Sequence, residues 1–401
     1  MPSFHEARAI ILDHVTVLGS EPVALLESSG RVLAAAVVAP CDLPRWDNSA
    51  MDGFAVRAAD ATAPAGLRIA GYIPAGSHST ELVAAGTAAR ILTGAPLPPG
   101  ADTVVPIEDT EERGGNVFAT RAVRQGAHVR RKGEDVREGE TILARGTVVG
   151  PAEVSLLASF SRLVVPVVRR ARVAILSTGD ELVAPGKALS AGKIYDSNAL
   201  AVAAAVRQTG GEPLNLGIAR DDRAALRALL AEGLQADALV TTAGVSMGDR
   251  DLVREVLQEL SVRQVFWKVD IKPGRPTAFA VHGAKPVFSL PGNPVSTLLT
   301  FDQFVRPALL KMMGHTELLR PLVRAVLQDD FARKPGRVSF LRVRLERRDD
   351  RLLARTAGNQ ETGILKTMLR ADGIAVIPAE RGTVRAGEVV DVQVLRNVGE
   401  A

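Results

Sequence analysis

Phe4, Ala7, Ile11, Val15 and Leu18 recur at helical spacing, so the chain opens with an amphipathic helix. A second helix is expected around 23–28, ending at Gly30. These first ~40 residues are too few to close a core alone and must pack on a later segment or on another subunit. The region 129–165 is the candidate, with Pro151 opening a helix through Phe160. From about residue 42 the period shortens. Runs at 54–57, 67–71, 89–92, 103–107 and 117–123 read as strands, separated by turns such as Ala95-Pro-Leu-Pro-Pro-Gly100 and Gly114-Gly-Asn116. A small β-rich domain inserted into the N-terminal helical one follows.

Between about 170 and 314 the two periods alternate. Strands at 173–176, 214–217, 238–242 and 287–290 are each followed by a helix, at 198–208, 222–232, 251–260 and 294–312. That order predicts a doubly wound α/β sheet. A strand at 265–272 running into Lys272-Pro-Gly-Arg-Pro276, and another at 277–281, would form a hairpin or an edge extension. Beyond about 320 the pattern returns to β, at 337–345, 373–378 and 388–395, which predicts a small C-terminal barrel or sandwich.

A chain of 401 residues exceeds one core and should form roughly three domains or more. The net charge of +4 is small for this length, and the basic clusters Arg130-Arg-Lys132 and Arg169-Arg-Ala-Arg172 carry no interleaved aromatics. They read as solvated surface, not as a nucleic-acid site. The single cysteine, Cys41, excludes an intrachain disulfide and a multi-cysteine metal cluster. The N-terminus has no signal-peptide core, and no stretch reaches the ~18 apolar residues of a membrane span. A soluble cytoplasmic protein, without membrane or nucleic-acid partners, is the expectation.

In an open α/β sheet, ligands bind beyond the carboxyl ends of the strands. The first strand delivers Ser177-Thr-Gly-Asp-Glu181 to that rim, the second Arg220, Asp221 and Asp222. The third delivers Gly244 to Asp251, and the last Pro291-Gly-Asn-Pro-Val-Ser296, opening a helix. Gly244 and Gly248 bracket a turn whose free N–H groups suit an anion; Asp249 or Asp251 then caps the next helix. Carboxylates beside a phosphate call for a bridging divalent cation. Asp222 reads as an N-cap and Asp180 as a turn residue, whereas Glu181 and Asp221 are harder to explain as caps. Lys268, Lys272 and Arg275 would face the same rim and neutralise phosphate or another oxyanion; a solvated loop is their plainer reading. The six histidines show no zinc spacing and no triad. A third constellation, Asp47-Asn-Ser-Ala-Met-Asp-Gly53, holds more amide, hydroxyl and carboxyl groups than a turn requires.

Eight strings, DNSAMDGFAV (47–56), LTGAPLPPGAD (92–102), RKGEDV (131–136), STGDEL (177–182), IYDSN (194–198), GVSMGDRD (244–251), KPGRP (272–276) and SLPGNPVS (289–296), stand in one order along nearly the whole chain. Together they resemble the MoeA family, the molybdenum-inserting enzymes of molybdenum-cofactor synthesis, related to the gephyrin E domain. The resemblance implies four domains: a discontinuous dimerisation domain (1–41 and 129–168), an inserted β-rich domain (42–128), an α/β molybdopterin-binding domain (169–315) and a C-terminal β-barrel (320–401). It implies an elongated homodimer whose cleft joins the α/β domain of one subunit to the inserted domain of the other. Adenylylated molybdopterin and Mg2+ would bind there, molybdate would be transferred to the dithiolene, and AMP released. By matching position, Asp52, Thr93, Asp135, Glu181, Lys268 and Lys272 would be catalytic, with Asp221 and Asp251 holding the metal. Gly244, Ser246, Gly248, Asp251, Arg275, Pro291, Gly292, Asn293 and Ser296 would hold the pterin nucleotide. Asp52 and Glu181 would manage protons, and the two lysines would attract the oxyanion. The adenylyltransferase that supplies the pterin would be a partner. A non-catalytic pterin-binding scaffold, the adenylyltransferase itself, and a tungstate-specific relative are the competing readings. The chain departs from the family at Ala243 (often glycine), Phe54 (commonly tyrosine) and Asn359 (often histidine).

Overall fold

In a computed structural model, which describes residues 1–62, 65–220, 222–243 and 252–396, a capping box starts the first helix. Ser3 accepts from the Glu6 N–H, and the Glu6 carboxylate accepts from the Ser3 N–H. The helix, Phe4–Asp13, buries Phe4, Ala7 and Ile11, whereas Val15 and Leu18 of the expected stripe lie beyond its end. Its seat is the core of the α/β layer. The Phe4 ring meets Phe304 and Phe340 edge-on at 5.8 and 5.1 Å between centroids.

The chain divides into two units. The first takes in Met1–Ala34, Val148–Gly150 and Val164–Ala401. Its main sheet has six strands in the order Glu212–Ala219, Arg172–Thr178, Ala238–Thr242, Lys285–Leu290, Ala278–His282 and Arg263–Phe266. The first four are mutually parallel; the last two are antiparallel additions at the edge. Ile175, Val240 and Phe288 are fully buried between helices on both faces. Helices Ser197–Gln208, Arg223–Gly233 and Leu252–Glu259 lie close to their expected bounds. The expected 294–312 helix is present, but a π-helical stretch, Phe301–Val305, interrupts it.

The second sheet of this unit closes on itself. Strands Val338–Arg348, Arg351–Thr356, Leu322–Leu327, Val389–Val394 and Gly373–Ile377 pair in sequence, and the last returns to the first. A barrel, not a sandwich, results. A short strand from the α/β layer, Ile271–Lys272, joins its edge in register with Val338 and Ser339.

Two sequence expectations are corrected here. The helix expected at 23–28 is a strand, Ser20–Ala24, and a 3-10 turn, Leu26–Ser28. The strand pairs with the β-branched run Val164–Val168, a distant partner that local periodicity does not see. The strand expected at 265–272 breaks at 267–270, and its two ends serve different sheets.

The second unit, Ala35–Thr147 and Pro151–Leu163, holds a six-stranded sheet. Its order is Thr103–Pro106, Gly53–Val56, Thr87–Ile91, Leu67–Ile73, Asn116–Ala119 and Thr110–Arg113, the last unforeseen from sequence. Two small cores, around Phe54 and around Ile91, lie on its faces. Helix Pro151–Ser159 starts at its proline and buries Leu157.

Candidate active site

At the carboxyl ends of the central strands, Ser177 and Thr242 join their hydroxyls at 2.8 Å, and Thr178 Oγ1 donates to the Thr242 carbonyl. Glu181 is exposed, and its carboxylate folds over Gly179, whose φ of +142° is one that residues with a side chain rarely adopt. Asp222 caps helix Arg223–Gly233 by accepting from the Ala225 N–H at 2.6 Å, the structural role expected of it. Asp221, Gly244, Ser246, Gly248, Asp249 and Asp251 lie outside the described residues.

Five of the expected residues share one cavity of about 670 Å3 where the α/β layer meets the barrel: Lys272, Arg275, Pro291, Asn293 and Ser296. Lys268 sits half-buried in the 267–270 turn and does not line it. Gly274 makes the approach possible: at φ +99° its Cα abuts the Thr300 methyl, where a Cβ would collide. Asn198 donates to the Gly292 carbonyl at 2.7 Å, and Asn293 donates to Thr362 Oγ1 at 3.0 Å. The Pro291–Asn293 loop is thereby tied to the helix behind it and to the barrel loop across the cavity.

The barrel side supplies what the sequence reading did not name. Arg333, Arg337, Ser339 and Arg342 line the same cavity, with Glu361 the one acidic lining residue. Arg337 pairs with Asp270 at 3.3 Å. Arg342 is wholly buried. Its Nε donates to Thr367 Oγ1 at 3.0 Å, and its Nη2 to the carbonyls of Asn359 and Glu361 at 3.4 and 3.2 Å. Its Nη1 has no partner, nor do Ser339 Oγ and the Nε and Nη1 of Arg333. No carboxylate meets Arg342 among the described residues. Burial draws its pKa down to about 10, so it stays protonated at neutral pH. Unsatisfied buried donors on three residues around one cavity suit a ligand that only accepts. A signal was present: Arg342 interrupts the buried apolar run of Val338–Arg348, where a charge is costly unless used. The Asn359 departure is compatible with this arrangement, because Arg342 uses its backbone carbonyl.

In the second unit, three motif strings are bound together. The Asp52 carboxylate accepts from both the N–H and the hydroxyl of Thr93, each at 2.7 Å. The Thr93 N–H, and then its hydroxyl, hold Asp52 below the usual carboxylate range. Asp47 accepts from Arg131 Nη1 and from the Lys132 N–H at 2.7 and 2.8 Å, pinning the loop that carries Asp135. Asp135 is exposed, its N–H bound to the Leu43 carbonyl. Gly53 is fixed in type because a Cβ would strike the Val105 carbonyl.

Among the described residues no group of three or more His, Cys, Asp or Glu side chains comes together, and the expected metal ligands Asp221 and Asp251 lie outside them. The described cavity is cationic and suits an anion.

Family models match almost the whole chain. They are described as "MoeA N-terminal region (domain I and II)" at residues 2–161, "Probable molybdopterin binding domain" at 174–311 and "MoeA C-terminal region (domain IV)" at 324–395. Molybdopterin molybdenumtransferase 2 of Mycobacterium tuberculosis is 36% identical, the match covering 98% of this chain and 99% of that protein. Molybdopterin molybdenumtransferase of Haemophilus influenzae is 35% identical over 98% of each chain. The crystal structure of a molybdopterin biosynthesis MoeA protein from Pyrococcus horikoshii superposes with a TM-score of 0.84 at 31% identity, covering 98% of this chain and 100% of that one. The chain belongs to the MoeA family of molybdopterin molybdenumtransferases, enzymes of molybdenum-cofactor biosynthesis.

Proposed function

We propose that this chain transfers molybdenum from molybdate to adenylylated molybdopterin with release of AMP, and that the cavity between α/β layer and barrel receives the oxyanion. The observation that carries the reading is that the buried Arg342, with an unpartnered Nη1, and Ser339, with an unpartnered Oγ, line one cavity with Lys272 and Arg275. Molybdate carries two negative charges and only acceptor oxygens, which complements a cavity of donors. Two Mo–S bonds form as the two thiol protons pass to one oxygen of molybdate, whose Mo–O bond breaks and which leaves as water; one water is consumed in opening the pyrophosphate that releases AMP. Asp52 and Glu181 are the groups proposed to take up and pass on those protons. Thr93 holds Asp52 in place, and Asp135 is proposed to act from the neighbouring loop. Gly244, Ser246, Gly248, Asp251, Gly292 and Asn293 are proposed to hold the pterin nucleotide. Lys268 is proposed to draw the oxyanion from outside the cavity. Mg2+ at Asp221 and Asp251 belongs to the proposal on sequence alone, and no step is derived through it. A homodimer, the four-domain division at 1–41 with 129–168, 42–128, 169–315 and 320–401, a cytoplasmic setting and an adenylyltransferase partner complete the proposal. No helix among the described residues is long and apolar enough to cross a membrane.

The test is AMP release from adenylylated molybdopterin by the purified chain, with and without molybdate. Release should depend on molybdate and fall by about 10²-fold or more in Lys272→Met, the range for removing one preorganised charge donor. Absence of molybdate-dependent release would leave only a pterin-binding carrier. Consumption of ATP with free molybdopterin would instead indicate an adenylyltransferase.

A further inference from the structure

The α/β layer has a second cationic cavity, of about 340 Å3, at the opposite edge of its sheet. The rim lies beyond residues 178, 219, 242 and 290, the carboxyl ends of the parallel strands. The second cavity is built from Val168 and Arg170, just before strand Arg172–Thr178, and from Thr209 and Gly210, just before strand Glu212–Ala219. The Ser29–Val32 loop and the end of helix Arg306–Met312 close it. Arg31, Arg170, Arg207, Arg306 and His315 line it, and no aspartate or glutamate does.

Ordinary structural duties account for part of this charge. Arg31 pairs with Glu21 and donates to the Val168 carbonyl at 2.9 Å. Arg207, in the last turn of its helix, complements the helix dipole. Arg170 and Arg306 are less fully used. Each is half-buried and gives one hydrogen bond to a carbonyl, Gly210 at 3.4 Å and Leu318 at 3.1 Å. No carboxylate pairs with Arg170, Arg207 or Arg306 among the described residues. Burial, and then repulsion from Arg320, lower the Arg306 pKa; burial, and then the Arg306 charge, lower that of His315. Guanidinium groups from four separate segments therefore converge on a space lined by no carboxylate, although Glu21 pairs with Arg31 and the Asp302 charge acts on Arg306 from outside it.

We propose that this cavity is a second anion site, which takes a small phosphoryl-bearing molecule, a phosphomonoester or diphosphate, independently of the rim. Isothermal titration with inorganic pyrophosphate on the full chain, near neutral pH and at low salt, tests it. Two classes of site are expected in the wild type. Arg207→Glu, at an exposed position, and Arg170→Gln should each weaken one class by about tenfold or more, as loss of a charge-assisted bond does. Lys272→Met, at the rim cavity, should weaken the other class alone. Should Arg170→Gln fail to fold, Arg207→Glu decides, with its thermal midpoint as the control for folding. Binding by Arg207→Glu equal to that of wild type, or loss of all pyrophosphate binding in Lys272→Met, would overturn the proposal.

Discussion

Arg342 carries a cost that its neighbours only partly offset. A guanidinium that pairs with no carboxylate among the described residues, and with one nitrogen unbonded, destabilises its surroundings until something accepts from it. An arriving oxyanion would do so under the proposed reading. Asp52 shows the reverse economy, because Thr93 stabilises its charged form. Its pKa is lowered in the folded chain, so the stabilisation is present above the unfolded carboxylate value and is lost as pH falls through the lowered one. Amide exchange at Thr93 should therefore stay slow down through the usual carboxylate range and quicken only below it, whereas Asp52→Asn should lose that dependence. Ala243 is strained in a different way. Its φ of +71° is left-handed, which explains why glycine suits this position after the strand. Ala243→Gly should stabilise the chain by about 0.5–1 kcal/mol in urea unfolding, the relief of the Cβ exceeding the added freedom of the unfolded state.

At the scale of elements, the helix that begins at Pro294 does something its sequence does not announce. Asn293 stands at the N-cap but makes no capping bond; its side chain reaches the barrel at Thr362, whose carbonyl also accepts from the Val295 N–H. The cavity wall is held by that junction. Asn293→Ala and Thr362→Val should each cost about 1 kcal/mol, and the double variant little more than either, so a double-mutant cycle returns a coupling near the cost of one hydrogen bond. Local pattern served the strongly periodic elements well. The stripe of Phe4, Ala7 and Ile11 and the buried strands of the α/β sheet stand close to where periodicity puts them. It failed where a distant partner decided the outcome: Ser20–Ala24 is a strand because Val164–Val168 pairs with it, and Lys272 leaves the α/β sheet because Val338–Arg348 has a free edge.

For the whole molecule, the order of the motif strings carried family and fold class, and several of those within the described residues sit at loops that a strand or helix holds in place. Asp47 and Asp52 tie three of them into one cluster, and Asn198 and Asn293 tie two more around the cavity. The barrel half of that cavity stayed hidden. Arg333 and Ser339 belong to no such motif, and Arg342, although it interrupts an apolar run, looks like a surface residue of a strand until closure of the barrel buries it. The central claim is that this closure aims a buried cation at an oxyanion. Equilibrium dialysis against molybdate, on the full chain and on Arg342→Met, tests it most directly. Methionine fills similar space without the charge, so the fold should hold. Saturable binding to the wild type, weakened about tenfold or more in the variant, is the predicted result. Equal molybdate binding by the two folded proteins would contradict it.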